Sequence, residues 1–194
     1  MALPDTLKQF NWVDIFFVIL FMRVCYVAIK NGFFAELFRL LGVISAIYIS
    51  FHYYINLSDY VGTFMGSKNM PLEYLSFFSF LVLVFAGYFI FALIGRFFSR
   101  FFKAEAAPRL NRWGSFILGI FRSLLLISLI VFIFLVAPVG YFRDSIASSY
   151  SGKRLVMAAP AAYTWLWESV VSKFRPQEKF NDTVVRIQES LTKQ

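Results

Sequence analysis

Five ionisable side chains stand inside stretches that are otherwise apolar: Arg23, Glu36, Arg39, Arg96 and Arg122. A guanidinium stays protonated and presents a planar fork of donors that matches phosphate and carboxylate two bonds at a time. Four such groups with Glu36 as sole counter-charge make a set suited to holding an anion. Each charge placed at mid-helix in a bilayer costs about 2.5–3.5 kcal/mol on insertion scales, so their presence asks for a reason. Two reasons compete. Near a helix end an arginine bends toward the headgroups and pairs with lipid phosphate, the simpler account for Arg39 and Arg96. Further from the end, several together form a basic vestibule that takes an anion or an anionic headgroup, and Arg122 is best placed for that.

The elements that must position these groups are four long apolar runs, residues 12–29, 33–54, 74–102 and 116–137. A helix needs roughly 20 mostly apolar residues to cross the hydrocarbon core, and each run has about that length. The expected fold is therefore all-α and integral to the membrane: four transmembrane helices over residues 1–137, then an amphipathic helical tail over 138–194. Asp14 opens the first span, where a carboxylate suits a helix amino terminus and Trp12 suits the interface. Asp5 and Lys8 precede it and no small-residue cleavage pattern follows, so the first run is expected to stay as a span. Lys30-Asn31-Gly32 is the only polar break before Phe33 and predicts a tight hairpin of the first two helices.

Charge placement predicts orientation. The second long loop, residues 96–112, carries Arg96, Arg100, Lys103, Arg109 and Arg112 against Glu105 alone, and a lysine and arginine excess marks the cytoplasmic side. The first long loop, residues 56–73, holds Gly62, Gly66 and Pro71 with Asp59 and Glu73 against Lys68, and is expected outside with the amino terminus and the tail. At 1.5 Å per residue, Arg23 lies roughly 10 Å from the Lys30 break, with Glu36 and Arg39 roughly 6 and 10 Å beyond it. All five intramembrane charges then gather in the cytoplasmic third.

Composition excludes several function classes. Apolar residues make up 59% of the chain and charged ones 15%, against about 25% charged in a soluble domain. The net charge of +8 falls at membrane edges, which argues for loop orientation and anionic lipid contact and against nucleic acid. Cys25 and His52 are the only residues of their types, so a zinc site or a Cys–His dyad lacks its parts. No Ser/Lys or Ser/His motif, paired carboxylates or phosphate-cradling glycine loop is present, so no catalytic, cofactor or metal site is expected.

Two further patterns concern packing. Ser115, Gly119 and Ser123 recur every four residues in the fourth span, and small residues at that spacing let two helix backbones approach closely in lipid. Arg122 adjoins this face and is expected to point into protein. Gly42 with Ser45, and Ala86 with Gly87, offer matching grooves. After Pro138, residues 140–153 read as a polar linker. Tyr163, Leu166, Trp167, Val170, Val171 and Phe174 then recur at helical spacing, and Phe180, Val184, Ile187 and Leu191 repeat the period, with Asn181 or Asp182 as caps. Such helices lie at the interface, pack on their own bundle or bind a partner.

The opening Asn11-Trp12-Val13-Asp14, the Gly32-Phe33 turn followed by Glu36, and Asn111-Arg112 leading to Gly119 and Arg122 resemble the colicin V production protein (CvpA) family over about residues 11–137. That family usually has Arg-Gly at the turn, where this chain has Asn31-Gly32. It has Asp-Arg before the fourth span, here Asn111-Arg112, and a glycine at the position of Ser115. The resemblance implies a small four-span protein of the bacterial inner membrane, associated with production or export of colicin V and with envelope integrity. It carries over Asp14, Gly32, Glu36, Arg112, Gly119 and Arg122 as candidate functional positions, to which the residues themselves add Arg23, Arg39 and Ser115.

Two functions remain open on these grounds. The first is a non-enzymatic membrane factor that works with a membrane protein partner in toxin production, export or envelope upkeep. The second is a small channel or transporter, which four spans of this size would form only as a homo-oligomer around the Glu36/Arg122 layer.

Overall fold

The computed structural model describes residues 11–64, 71–101, 108–175 and 177–192, and these are all-α without a strand. Asp5, Lys8, Gly66, Lys68, Lys103 and Glu105, named above in the amino terminus and the two long loops, lie outside the described residues. Four long helices come first: α1 (Trp12–Asn31), α2 (Phe33–Phe64), α3 (Leu72–Phe101) and α4 (Pro108–Val136). All four are long and apolar enough to cross a membrane. Shorter helices follow: α5 (Gly140–Ala147), α6 (Tyr150–Leu155), α7 (Ala158–Leu166) with a π turn over Trp167–Val171, α8 (Ser172–Phe174) and α9 (Asp182–Thr192).

The helices run past the apolar stretches that announce them. Residues 56–64, expected in a loop, continue α2. Their polar side chains are used in packing: Ser58 Oγ meets Ser76 Oγ at 3.1 Å, and Gly62 lies beside Leu75. The second expected loop is likewise shortened from both sides, because α3 continues to Phe101 and α4 begins at Pro108.

The predicted hairpin of α1 with α2 does not form. Although Gly32 alone separates them, these two helices barely touch; α1 lies along α4, while α2 lies along α3 and against α4. Small residues decide the pairing. A Cβ at Gly87 of α3 would come within 2.8 Å of the Ala46 Cα on α2, so these backbones are in contact. A Cβ at Gly119 of α4 would collide with Ala28 of α1. Gly32 allows the abrupt change of direction with φ at +81°, in the left-handed region that side-chain-bearing residues rarely enter.

The core has two parts. Val43, Ile47, Phe51, Phe80 and Phe132 knit α2, α3 and α4 together, and Val13, Phe17, Ile127 and Val131 join α1 to α4. Both extend into the tail. Residues 140–153, expected as a polar linker, form α5 and most of α6, because Ile146 and then Val156 plug into the α1/α4 cluster while the serines bond locally. Ala159, Tyr163 and Val184 close the other cluster. Ser128 on α4 donates to the Val156 carbonyl at 3.2 Å and accepts from Ala159 N at 2.7 Å, so the tail is docked on the bundle by buried hydrogen bonds as well as by apolar contact.

Candidate functional site

Because α1 leaves α2 for α4, a crevice of about 480 Å³ opens between α1 and the α2/α3 pair. Its apolar walls include Leu20, Val24 and Val27 from α1, Phe38 from α2, and Tyr88 and Phe91 from α3. The charged residues lining it are Arg23, Arg39, Arg96 and Arg122, one from each long helix and all positive. The helices bring them together from positions 99 residues apart in the chain, Arg23 to Arg122.

Beside the crevice lies an ion pair between Arg122 Nε and Glu36 Oε1, with Glu36 fully buried and Arg122 almost so. Arg39 approaches the other carboxylate oxygen at 3.7 Å and is about a third exposed. Among the described residues, nothing else hydrogen-bonds the Glu36 oxygens or Arg122 Nε. Gly119, one turn before Arg122, lets α4 approach α1 closely: a Cβ there would overlap Ala28, while it would stand in ordinary contact, 3.9 Å, from Glu36 Oε1. The small-residue face is thus spent inside the chain. Ser115 and Ser123 on the same face are buried, and their hydroxyls bond back to Arg112 O at 3.1 Å and Ile120 O at 2.7 Å.

Other candidate residues lie elsewhere. Arg112 is exposed, in a separate hollow with Ile29, Trp113 and Phe116. Gly32 sits under Asn111, whose Oδ1 accepts from Phe33 N at 2.6 Å and caps the start of α2. The Asn111 amide oxygen thus supplies the acceptor that the start of α2 needs. Asp14 stands at the opposite end of α1 from the turn. It completes a capping box with Asn11, accepts from Ser151 N at 2.7 Å and Tyr150 N at 3.3 Å, and takes the Ser151 hydroxyl. Its work is to tie α6 to α1.

One cluster escapes sequence reasoning. His52 on α2 is stacked between Tyr48 and Trp167, its Nδ1 is 3.1 Å from the Tyr163 hydroxyl, and its Nε2 is 3.4 Å from Glu178. Burial pushes the Tyr163 hydroxyl up to about 12, so it stays neutral. The hydrogen bond from Arg175 holds the Glu178 carboxyl below its ordinary range. A lone histidine and a distant aromatic stripe were the only signals, and nothing in their spacing joins them.

What the crevice can do is hold an anion in a mostly apolar setting. Among the described residues, no group of three or more His, Cys, Asp or Glu could hold a metal ion. No curated protein and no solved structure matches the chain. The family model for the colicin V production protein matches residues 13–174. That range includes the four spans, the crevice with its ion pair, and the tail as far as Phe174, well beyond the segment in which the motifs first suggested kinship. With its four apolar helices, the chain is a multi-pass membrane protein and belongs to the colicin V production protein family.

Proposed function

We propose that this chain is a non-enzymatic protein of the bacterial inner membrane that supports production or export of a colicin V-type toxin, or envelope integrity. It does so through the basic crevice beside the Glu36–Arg122 pair. The loop between α3 and α4 faces the cytoplasm, which puts the crevice in the cytoplasmic half of the bilayer and the tail in the periplasm. The observation that carries this reading is the convergence of a guanidinium from each long helix on one crevice. Such a set suits ligand capture.

The test is complementation of a strain lacking the gene, with toxin release and detergent sensitivity as readouts. Wild type should restore both. Arg23→Gln/Arg96→Gln, present in the membrane at the same level, should restore neither. Full restoration by that variant would remove the crevice from the function.

The four guanidiniums also suit a second reading, a small oligomeric anion channel. The face that would most readily seat a second copy, Ser115 to Ser123, is occupied by α1, which weighs against it. Anion conductance by reconstituted protein, lost in the same variant, would favour the channel.

A further inference from the structure

We propose that the crevice binds the phosphate headgroup of an anionic membrane lipid, which enters sideways between α1 and α3 with its chains lying on the apolar walls. This deepens the function proposed above and rests on it. Three observations point to a lipid in preference to a soluble anion. First, the crevice exists because α1 and α2 barely touch, so it is a gap between helices and not a closed chamber within the bundle. Second, two of its arginines, Arg23 and Arg96, are exposed among large apolar side chains that are also exposed: Met22 and Tyr26 beside the first, Phe97 beside the second. In a helix that crosses a membrane, such a surface meets lipid, so these guanidiniums stand at a mouth that faces the bilayer. Third, the lining divides by chemistry. Arg23, Arg39, Arg96 and Arg122 supply donors that fit phosphate oxygens in pairs, while Leu20, Val24, Val27, Phe38 and Phe91 supply a surface that inorganic phosphate has no use for and an acyl chain does. The volume, about 480 Å³, falls within the range of roughly 300–1,000 Å³ usual for ligand pockets.

Glu36 fits the same scheme. Fully buried, it pairs with Arg122 Nε and orients that guanidinium beside the crevice.

The experiment uses the full chain, reconstituted in phosphatidylcholine bilayers containing phosphatidylglycerol, extracted gently and examined by native mass spectrometry for retained lipid. Wild type should keep phosphatidylglycerol in clear preference to phosphatidylcholine. Arg23→Gln/Arg96→Gln should lower that preference about tenfold or more. Arg23→Lys/Arg96→Lys, which keeps the charge and loses the fork, should fall between. Neither residue belongs to the Glu36 ion pair, and an unchanged unfolding profile of both variants verifies that the bundle is intact. Equal retention of the two lipids by wild type, or undiminished preference in the double glutamine variant, would overturn the proposal. Displacement of the lipid by millimolar inorganic phosphate would also overturn it, by assigning the crevice to a soluble anion. Complementation reads the cellular role separately: a variant that loses lipid preference yet restores toxin release leaves the lipid site standing and removes its link to function. The reverse result removes the lipid and leaves the function.

Discussion

Replacing Arg122 with alanine should destabilise the folded protein by about 3–5 kcal/mol, because it strands the fully buried carboxylate of Glu36. Arg39 cannot substitute: it stands 3.7 Å away, and a pair with one partner a third exposed is screened and worth little. The loss is that of an uncompensated buried charge and not of the pair's own attraction, which distinguishes two variants. Glu36→Met/Arg122→Met, removing both charges and keeping similar volume, should recover most of the stability that Arg122→Ala loses, since a buried pair exchanged for apolar packing is often neutral. Graded unfolding in mixed micelles measures both. The two sites are in contact, so their effects should be far from additive. A change of less than about 1 kcal/mol in Arg122→Ala would mean that water reaches Glu36 and that the pair is not the buried element described here.

The second large effect is expected at Asp14. Its carboxylate accepts from Asn11 N, Tyr150 N, Ser151 N and the Ser151 hydroxyl, and is itself buried. Hydrogen bonds to a charged group contribute about 1.5–3 kcal/mol each, and shared geometry keeps the sum well below the total. Asp14→Ala should therefore release α6 from α1 at a cost of about 2–3 kcal/mol, raising the population of undocked α6 about 30- to 150-fold, while Asn11 and Ile146 still hold α5. The Ser128 bridge and the Val184 contact should keep the rest of the tail in place. Limited proteolysis reports this population directly when reclosing outpaces cleavage, and cuts should appear between Ser148 and Leu155. Asp14→Asn, which retains acceptor capacity without charge, should be cut at an intermediate rate. Cleavage no faster than wild type would show that Asp14 only caps α1.

Much of this architecture is legible in the residues. Four spans follow from four apolar runs, because length and hydropathy alone decide what can cross a bilayer. Glu36 and Arg122 stand out for the complementary reason: a charge is conspicuous where everything around it is apolar. What the sequence hides is pairing. Lys30-Asn31-Gly32 is as short a turn as a hairpin would need, yet α1 turns to α4, because Gly119 opposite Ala28 allows a closer approach than α2 does. That preference is a matter of fit between surfaces 91 residues apart, Ala28 to Gly119, and periodicity carries no trace of it. The same blindness explains the tail. Residues 140–153 look like a linker because only Ile146 in them becomes a fully buried anchor, and the polar remainder is satisfied by Asp14 and by local serine bonds. At residues 56–64 the polar side chains read as loop, whereas Ser58 and Ser76 use their hydroxyls to hold α2 to α3.

The crevice and the covering of the small-residue face both depend on α1 lying against α4. Cys25 on α1 faces the small-residue stripe of α4, where a Cβ at Gly119 would lie 3.8 Å from its Cα, and Ser123 is its neighbour on that stripe, so Ser123→Cys places a second thiol beside the native one. Oxidation in native membranes should give an intramolecular disulfide between Cys25 and the introduced thiol, seen as monomeric mobility on a gel and as one linked peptide pair by mass spectrometry. A disulfide-linked dimer ladder without the intramolecular bond would contradict that placement, moving the α4 face to an interface between copies and taking α1 off it.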